Sequence, residues 1–210
     1  MDATNAIFYV VILIMSVVIH EVSHGFMAEY FGDKTARHAG RLTLNPLAHL
    51  DLFGSILLPA LLIISKAGFL FGWAKPVPYN PENLSDRKWG TVWVAAAGVL
   101  SNFALAVIFG IIIRIISHIA LPVGLAADLY FVTSAIVLVN LGLGIFNLVP
   151  IPPLDGSKIF FSFLPASMHR SIAAFEQYSF ILLILFIVYF SDILYPILTG
   201  LFRLITGLAI

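Results

Sequence analysis

The 210-residue sequence contains no cysteine. That excludes disulfides, thiolate metal ligands and a cysteine nucleophile, and it leaves the redox character of the compartment unread. Charge is scarce as well. Only 10% of the residues are charged, and eleven basic residues balance eleven acidic ones. There is no basic surface for a nucleic acid and too little polarity to coat an ordinary globular domain. The N-terminus, MDATNAIF, lacks the basic region and small-x-small cleavage site of a signal peptide, so the first apolar segment is expected to stay in the chain. Repeats, low-complexity tracts and lipidation signals are missing. The length leaves no room for an appended soluble domain, and one domain over residues 1–210 is expected. What the chain has instead is apolar residues, 60% of the total, with a mean hydropathy of +1.03. That is the composition of a multi-pass protein of the lipid bilayer.

The apolar pattern predicts an all-α polytopic helical bundle. Its clear spans are about Ala6–Phe31, Thr91–Ile119, Leu129–Val149 and Ile172–Phe190; a less regular helix covers about Ile193–Leu208, interrupted by Pro196, Gly200 and Arg203. The segment Phe53–Phe71 is broken by Pro59, Ser65, Lys66 and Gly68; its clean apolar core is too short to span, so a re-entrant or interfacial segment is expected. After it, the prolines and asparagines of FGWAKPVPYNPENLSDRKWG predict extended or turn-like chain.

Five residues stand out at the end of the first apolar run: His20-Glu21-Val22-Ser23-His24. Positions i and i+4 share a helix face, so both imidazoles can meet one metal ion, with Glu21 placed to polarise its water. In a first segment about 39 Å long at 1.5 Å per residue, His20 lies about 21 Å from the start, inside the hydrocarbon. A three-letter match of this kind occurs by chance in soluble helices. Inside a membrane helix each ionisable group costs roughly 2.5–3.5 kcal/mol or more, and three in five residues need a partner such as a divalent cation.

Two histidines leave a tetrahedral metal short of ligands. Asp155 is the best third ligand: it follows Pro150, Pro152 and Pro153, where the chain must leave the helix. Its plain alternative is an N-cap for a short helix near Ser157. Glu29 and Asp51 are weaker ligand candidates. Asn102, Asn140 and Asn147 lie at membrane depth; they are read either as interhelical hydrogen-bonding groups or as substrate-binding and oxyanion donors. His38 and His49 read as loop or interfacial histidines, His118 and His169 as structural, and Trp73, Tyr79, Trp89 and Trp93 as interfacial aromatics.

Topology tests the ligand set. If Phe53–Phe71 spans fully, His20 and Asp155 end on opposite membrane faces. If it dips in and returns, the basic residues from Lys34 to Lys88 share a side with Lys158 and Arg170, as the positive-inside rule requires. The same assumption brings Asp155 to the depth of the histidines, near the cytoplasmic face, and makes the N-terminus extracytoplasmic.

Three motifs together, HEVSH, AGVLSNF and FNLVPIPPLDG, resemble the site-2 protease family of intramembrane zinc metalloproteases. GRLTLNPLAHLD and FGWAKPVPYNPENL are similar to its short bacterial and archaeal branch, which lacks PDZ and CBS domains. The resemblance runs from His20 to Gly156. It implies one Zn2+ per chain held by His20, His24 and Asp155, Glu21 as general base, and a three-helix catalytic core made of the first segment, Thr91–Ile119 and Leu129–Val149. It also implies a prokaryotic inner-membrane location and regulated intramembrane proteolysis. One departure is visible: Gly98-Val99 stands where the family usually has Gly-Pro.

The expected activity is therefore hydrolysis of a peptide bond in or beside a transmembrane segment of another membrane protein. The unwound substrate is expected to pair with the extended stretch around Val77 by strand addition. The rival class is a membrane metal transporter or metal-binding scaffold without protease activity, since transporters also use intramembrane His and Asp.

Overall fold

The computed structural model describes residues 3–57, 61, 64 and 74–208. Among these, every regular element is helical. The main helices are α1 (Ala3–Tyr30), α2 (Thr35–His38), α3 (Arg87–Ile116), α4 (Val123–Asn147), α5 (Asp155–Phe161), α6 (His169–Gln177), α7 (Ser179–Phe190) and α8 (Leu194–Thr206). Three of them are long and apolar enough to cross a membrane, within Thr4–Tyr30, Arg87–Ile116 and Val123–Asn147. Helices α7 and α8 pass that test only as a pair, bent by 70°. The chain is thus an all-helical, polytopic membrane protein.

The ends of the elements follow local chemistry. Helix α1 stops at Gly32, whose φ of 103° suits a residue without a side chain. There Asp33 N–H donates to Ala28 O and Gly32 N–H to Glu29 O, the paired bonds of a glycine C-cap. Helix α3 starts where the Asp86 carboxylate accepts from Trp89 N–H, as an N-cap should. Helix α4 ends at Asn147, just before the proline run. The expected span Ile172–Phe190 is two helices: α6 is polar along one side, with sequence HRSIAAFEQ, and only α7 is continuously apolar. Of the expected re-entrant segment, Leu52–Leu57 is one short helical stretch, while 58–60, 62–63 and 65–73 lie outside the described residues.

Helices α1, α3 and α4 pack side by side. His24 meets Val94 and His20 meets Asn102, so α1 and α3 run antiparallel. Tyr9 stacks edge-on with Phe131 and Ser16 meets Asn140, so α1 and α4 run parallel. Helix α1 carries its polar residues inward: Ser16, His20 and His24 are buried, while Ile7, Val10, Val11 and Ile14 are exposed. That inversion of a soluble helix is what a lipid surround dictates. Small residues on α3, Ala95, Ala97 and Gly98, are buried and allow close approach. At the other end of α3 the contacts are apolar. Ala106 and Ile113 pack with Val137 and Leu141 of α4 and Phe202 of α8.

A candidate metal centre under an extended strap

The helical spacing of His20 and His24 puts both rings on the α1 face that meets α3. Asp155 reaches them because α4 ends before Pro150 and the chain turns back into α5. The turn is tight: a Cβ on Gly156 would lie 2.2 Å from the Leu148 carbonyl oxygen, so only glycine fits after Asp155. Asp155 is the first residue of α5, and the N-cap position belongs to Leu154 with no side-chain cap. The plain capping reading of Asp155 is therefore not what the structure has.

The three side chains converge. His20 Nε2 lies 3.0 Å from Asp155 Oδ2 and 3.0 Å from His24 Nε2, and His24 Nε2 lies 3.1 Å from the same Asp155 oxygen. All three residues are buried. Around a tetrahedral zinc with bonds of about 2.0–2.1 Å, neighbouring ligand atoms lie about 3.3 Å apart, so the spacing suits such an ion. The donor chemistry is a sharper test. His24 Nδ1 sits 2.6 Å from the Val94 carbonyl oxygen, which only accepts, so Nδ1 carries the ring proton and Nε2 offers its lone pair. That lone pair faces a carboxylate oxygen and another imidazole nitrogen. Such a cluster repels itself unless a cation sits among its members.

Gly98 completes the pocket from α3. A Cβ there would lie 2.5 Å from His24 Cε1 and 2.6 Å from both His20 Cε1 and His24 Nε2. Its smallness admits the imidazole pair, not merely another helix.

Glu21 opens into a cavity of about 130 Å³ beside the cluster. The cavity is lined by His20, Glu21 and His24 of α1, Asn147 at the end of α4, Pro153, Asp155 and Lys158, and Pro76, Val77 and Tyr79. Its volume exceeds the about 10–15 Å³ needed for one water. Lys158 lies 3.3 Å from Asp155 Oδ1, the oxygen turned away from the histidines, and 5.9 Å from the Tyr79 ring centre. Burial works against charge on Lys158, but the Asp155 carboxylate outweighs it and holds the ammonium above its ordinary range.

Residues 74–80 carry no regular element and form a strap at this opening, with Pro76, Val77 and Tyr79 on the cavity wall and Asn80 in the extended region. Lys75 N–H donates to His49 O at 2.8 Å, and Arg41 Nη2 donates to Lys75 O at 2.6 Å. Val77 N–H donates to Glu21 Oε2 at 2.8 Å. Asn80 N–H and the Asn83 amide both donate to the Asp33 carboxylate, which also accepts from the backbone N–H and hydroxyl of Thr35. Burial alone would raise the pKa of Asp33; those donors outweigh it and hold the carboxyl below the ordinary range.

The remaining sequence candidates separate cleanly. Asn147 lines the cavity, and its amide donates to Leu143 O at 3.0 Å. Asn102 and Asn140 are fully buried in the helix interface and bond to each other at 2.9 Å. Glu29 pairs with Arg37, and Asp51 accepts from Phe53 and Gly54 N–H, so neither joins the cluster. His49, expected at a loop or interface, is 1% exposed and bonds Thr43 O at 2.8 Å. Tyr79, expected as an interfacial aromatic, lines the cavity. Sequence reasoning missed Gly98, Asp33 and Lys158. Lys158 had a signal, one helical turn after Asp155.

Comparison with known proteins identifies a family. The family described as Peptidase family M50 matches residues 115–190. The Bacillus subtilis protein named "Putative zinc metalloprotease YwhC" is 40% identical over 200 residues, covering 92% of this chain and 86% of its own. Two proteins named "Putative zinc metalloprotease Rip2", from Mycolicibacterium smegmatis and Mycobacterium tuberculosis, are each 30% identical over 178 residues, covering 83% of this chain and 64% of their own. No solved structure matches. A relative this similar over nearly the whole of both chains, a matching family model and the motifs around the buried cluster lead to one assignment: the chain belongs to peptidase family M50, the site-2 proteases.

Proposed function

We propose that the protein is a zinc-dependent intramembrane endopeptidase that cuts a transmembrane or membrane-adjacent segment of another membrane protein. The observation that carries the reading is the convergence of His20 Nε2, His24 Nε2 and Asp155 Oδ2 beside a cavity that Glu21 also lines. His20, His24 and Asp155 would hold the ion. When bound there, zinc would supply the acidity that activates a water and the polarisation of a substrate carbonyl.

The chain's own groups do the rest. Val77 N–H holds Glu21 Oε2, which leaves Oε1 as the oxygen that takes the proton from water and returns it to the leaving amine. Lys158 balances the outer oxygen of Asp155, which would leave Oδ2 for the metal. Asn147, at the cavity wall, binds the backbone of an unwound substrate segment. The strap and α1 cover the cluster from lipid, and water reaches it from the strap side.

That side is cytoplasmic in this reading. Lys34, Arg37, Arg41, Lys75, Arg87, Lys88 and Lys158 cluster at the site end of the bundle, whereas Arg114 lies at the far end of α3 against the last turn of α8, which carries Arg203. This bias supports a site facing the cytoplasm in a prokaryotic inner membrane.

The test is Glu21→Gln. The purified variant is expected to retain one zinc per chain while cleavage of a single-span substrate in detergent falls by about 10²–10⁴-fold. Unchanged cleavage would remove Glu21 from the reaction. Zinc movement across vesicles, with no cleavage of any substrate, would replace protease with transporter.

A further inference from the structure

The two proposed imidazole ligands are braced differently. His24 Nδ1 is fixed directly by a backbone carbonyl, that of Val94. His20 Nδ1 instead meets a side-chain amide, Asn102 Oδ1, at 2.6 Å. An amide has both a donor and an acceptor end, so by itself it does not decide which ring nitrogen carries the proton. The decision comes from further along. Asn102 Nδ2 donates to Asn140 Oδ1 at 2.9 Å, and Asn140 Nδ2 donates to Ile136 O and to Ser16 Oγ, each at 2.9 Å. Ile136 O is a carbonyl and can only accept. It therefore orients the Asn140 amide with nitrogen toward the carbonyl and oxygen toward Asn102. That orients Asn102 with nitrogen toward Asn140 and oxygen toward His20, so His20 Nδ1 must be the protonated nitrogen.

The geometry points to a new role for Asn102 and Asn140: they are positioning residues, a two-amide relay that carries the polarity of one α4 carbonyl across α3 to α1 and keeps the lone pair of His20 Nε2 aimed at the metal. All four side chains, Ser16, His20, Asn102 and Asn140, are buried, so no bulk water substitutes for a missing member. Neither asparagine lines the cavity where a substrate carbonyl would sit. Ser16 is a passive end of the chain, because Ile136 O already fixes Asn140.

The role rests on the metal reading above, and the experiment separates the two. Zinc affinity of the purified full-length protein is measured by chelator competition, with the visible absorption of the Co2+-substituted form as a second readout. Asn102→Leu should weaken zinc binding by about 10–100-fold, the usual effect of removing a partner behind a metal-bound histidine, and should alter the Co2+ spectrum. Asn102→Asp keeps an acceptor for His20 Nδ1, although its second oxygen then faces Asn140 Oδ1; it should bind zinc more tightly than Asn102→Leu and give a Co2+ spectrum closer to that of the wild type. Ser16→Ala should leave both unchanged. If Asn102→Leu does not fold, Asn140→Leu carries the test, since it breaks the relay without touching the imidazole; it too must weaken zinc. Wild-type zinc affinity in a folded Asn102→Leu or Asn140→Leu, with loss confined to cleavage, overturns the relay and makes the amides substrate groups. No zinc binding by the wild type would instead sink the metal reading itself.

Discussion

Helix α3 carries two glycines that press against another element so closely that a Cβ would overlap it, and the overlaps differ in kind. At Gly98 the atoms in the way belong to His20 and His24, within 2.5–2.6 Å; at Gly110, one end of the bundle away, the atom in the way is Ile205 Cγ2, at 2.1 Å. Each of the first two rings is held by a hydrogen bond at Nδ1 and has nowhere to go. The second is an aliphatic group between helices, which can change rotamer or let α8 shift. The same substitution on the same helix thus separates an end of the bundle built on polar registration from an end built on apolar packing. Close packing is common to both; fixed atom positions are required at only one.

Gly98→Ala should give the largest effect. The added methyl drives both imidazoles off their positions, so zinc affinity is expected to fall by at least about 100-fold, with cleavage undetectable and helical circular dichroism retained. Gly110→Ala is the matched control. Overpacking costs typically about 1–3 kcal/mol, read as a lower unfolding midpoint in detergent, with zinc stoichiometry intact. Equal zinc retention in both variants would erase the distinction between the two ends.

Asp33→Asn probes the polar end at one remove from the metal. The carboxylate gathers donors from Thr35, Asn80 and Asn83 and so ties the strap to the end of α1. An amide in its place turns donors toward donors, a loss of about 1–3 kcal/mol. The strap should loosen, Val77 should lose its hold on Glu21, and cleavage should fall about tenfold with zinc unchanged. The pH dependence has a definite sign. A carboxyl whose folded pKa is depressed contributes stability that is complete above its unfolded value, about 3.9, and is lost as pH falls through the folded value. Wild type should therefore lose stability below about pH 4 with a component that Asp33→Asn lacks. Superimposable pH profiles would remove Asp33 as the clasp.

Much of the polar end was legible in the chain. The spacing of His20 and His24, the proline run before Asp155 and the positive-inside bias together brought Asp155 to the depth of two histidines far from it in sequence, and the three side chains lie within hydrogen-bond distance. What the chain did not disclose was direction. Nothing in AGVLSNF says that Gly98 faces imidazoles, or that Asn102 turns its oxygen toward His20, because a helix offers several faces and only packing selects one. The expected span at Ile172–Phe190 failed for a related reason. Its first residues, through Glu176 and Gln177, belong to the separate helix α6, and only α7 is continuously apolar. Arg114 went unread altogether, since a lone cation inside an apolar run gives no hint of its partner.

That partner offers the mildest substitution and the most specific one for the apolar end. Arg114 Nε donates to Ile205 O and Nη2 to Leu204 O, both at 2.6 Å. These carbonyls belong to the last turn of α8, whose chain leaves through Gly207 at φ 79°. Terminal carbonyls lack intrahelical donors, and a cation there also meets the negative end of the helix dipole. Arg114→Met keeps the aliphatic stem over α8 but removes the donors. It should lower stability in detergent by about 1 kcal/mol and leave zinc affinity, kcat and KM at wild-type values, because the contact is made at the far end of α3 from His20. A change in zinc affinity would mean that the two ends of α3 are mechanically coupled, and the packing end could no longer be treated as a mere support for the site.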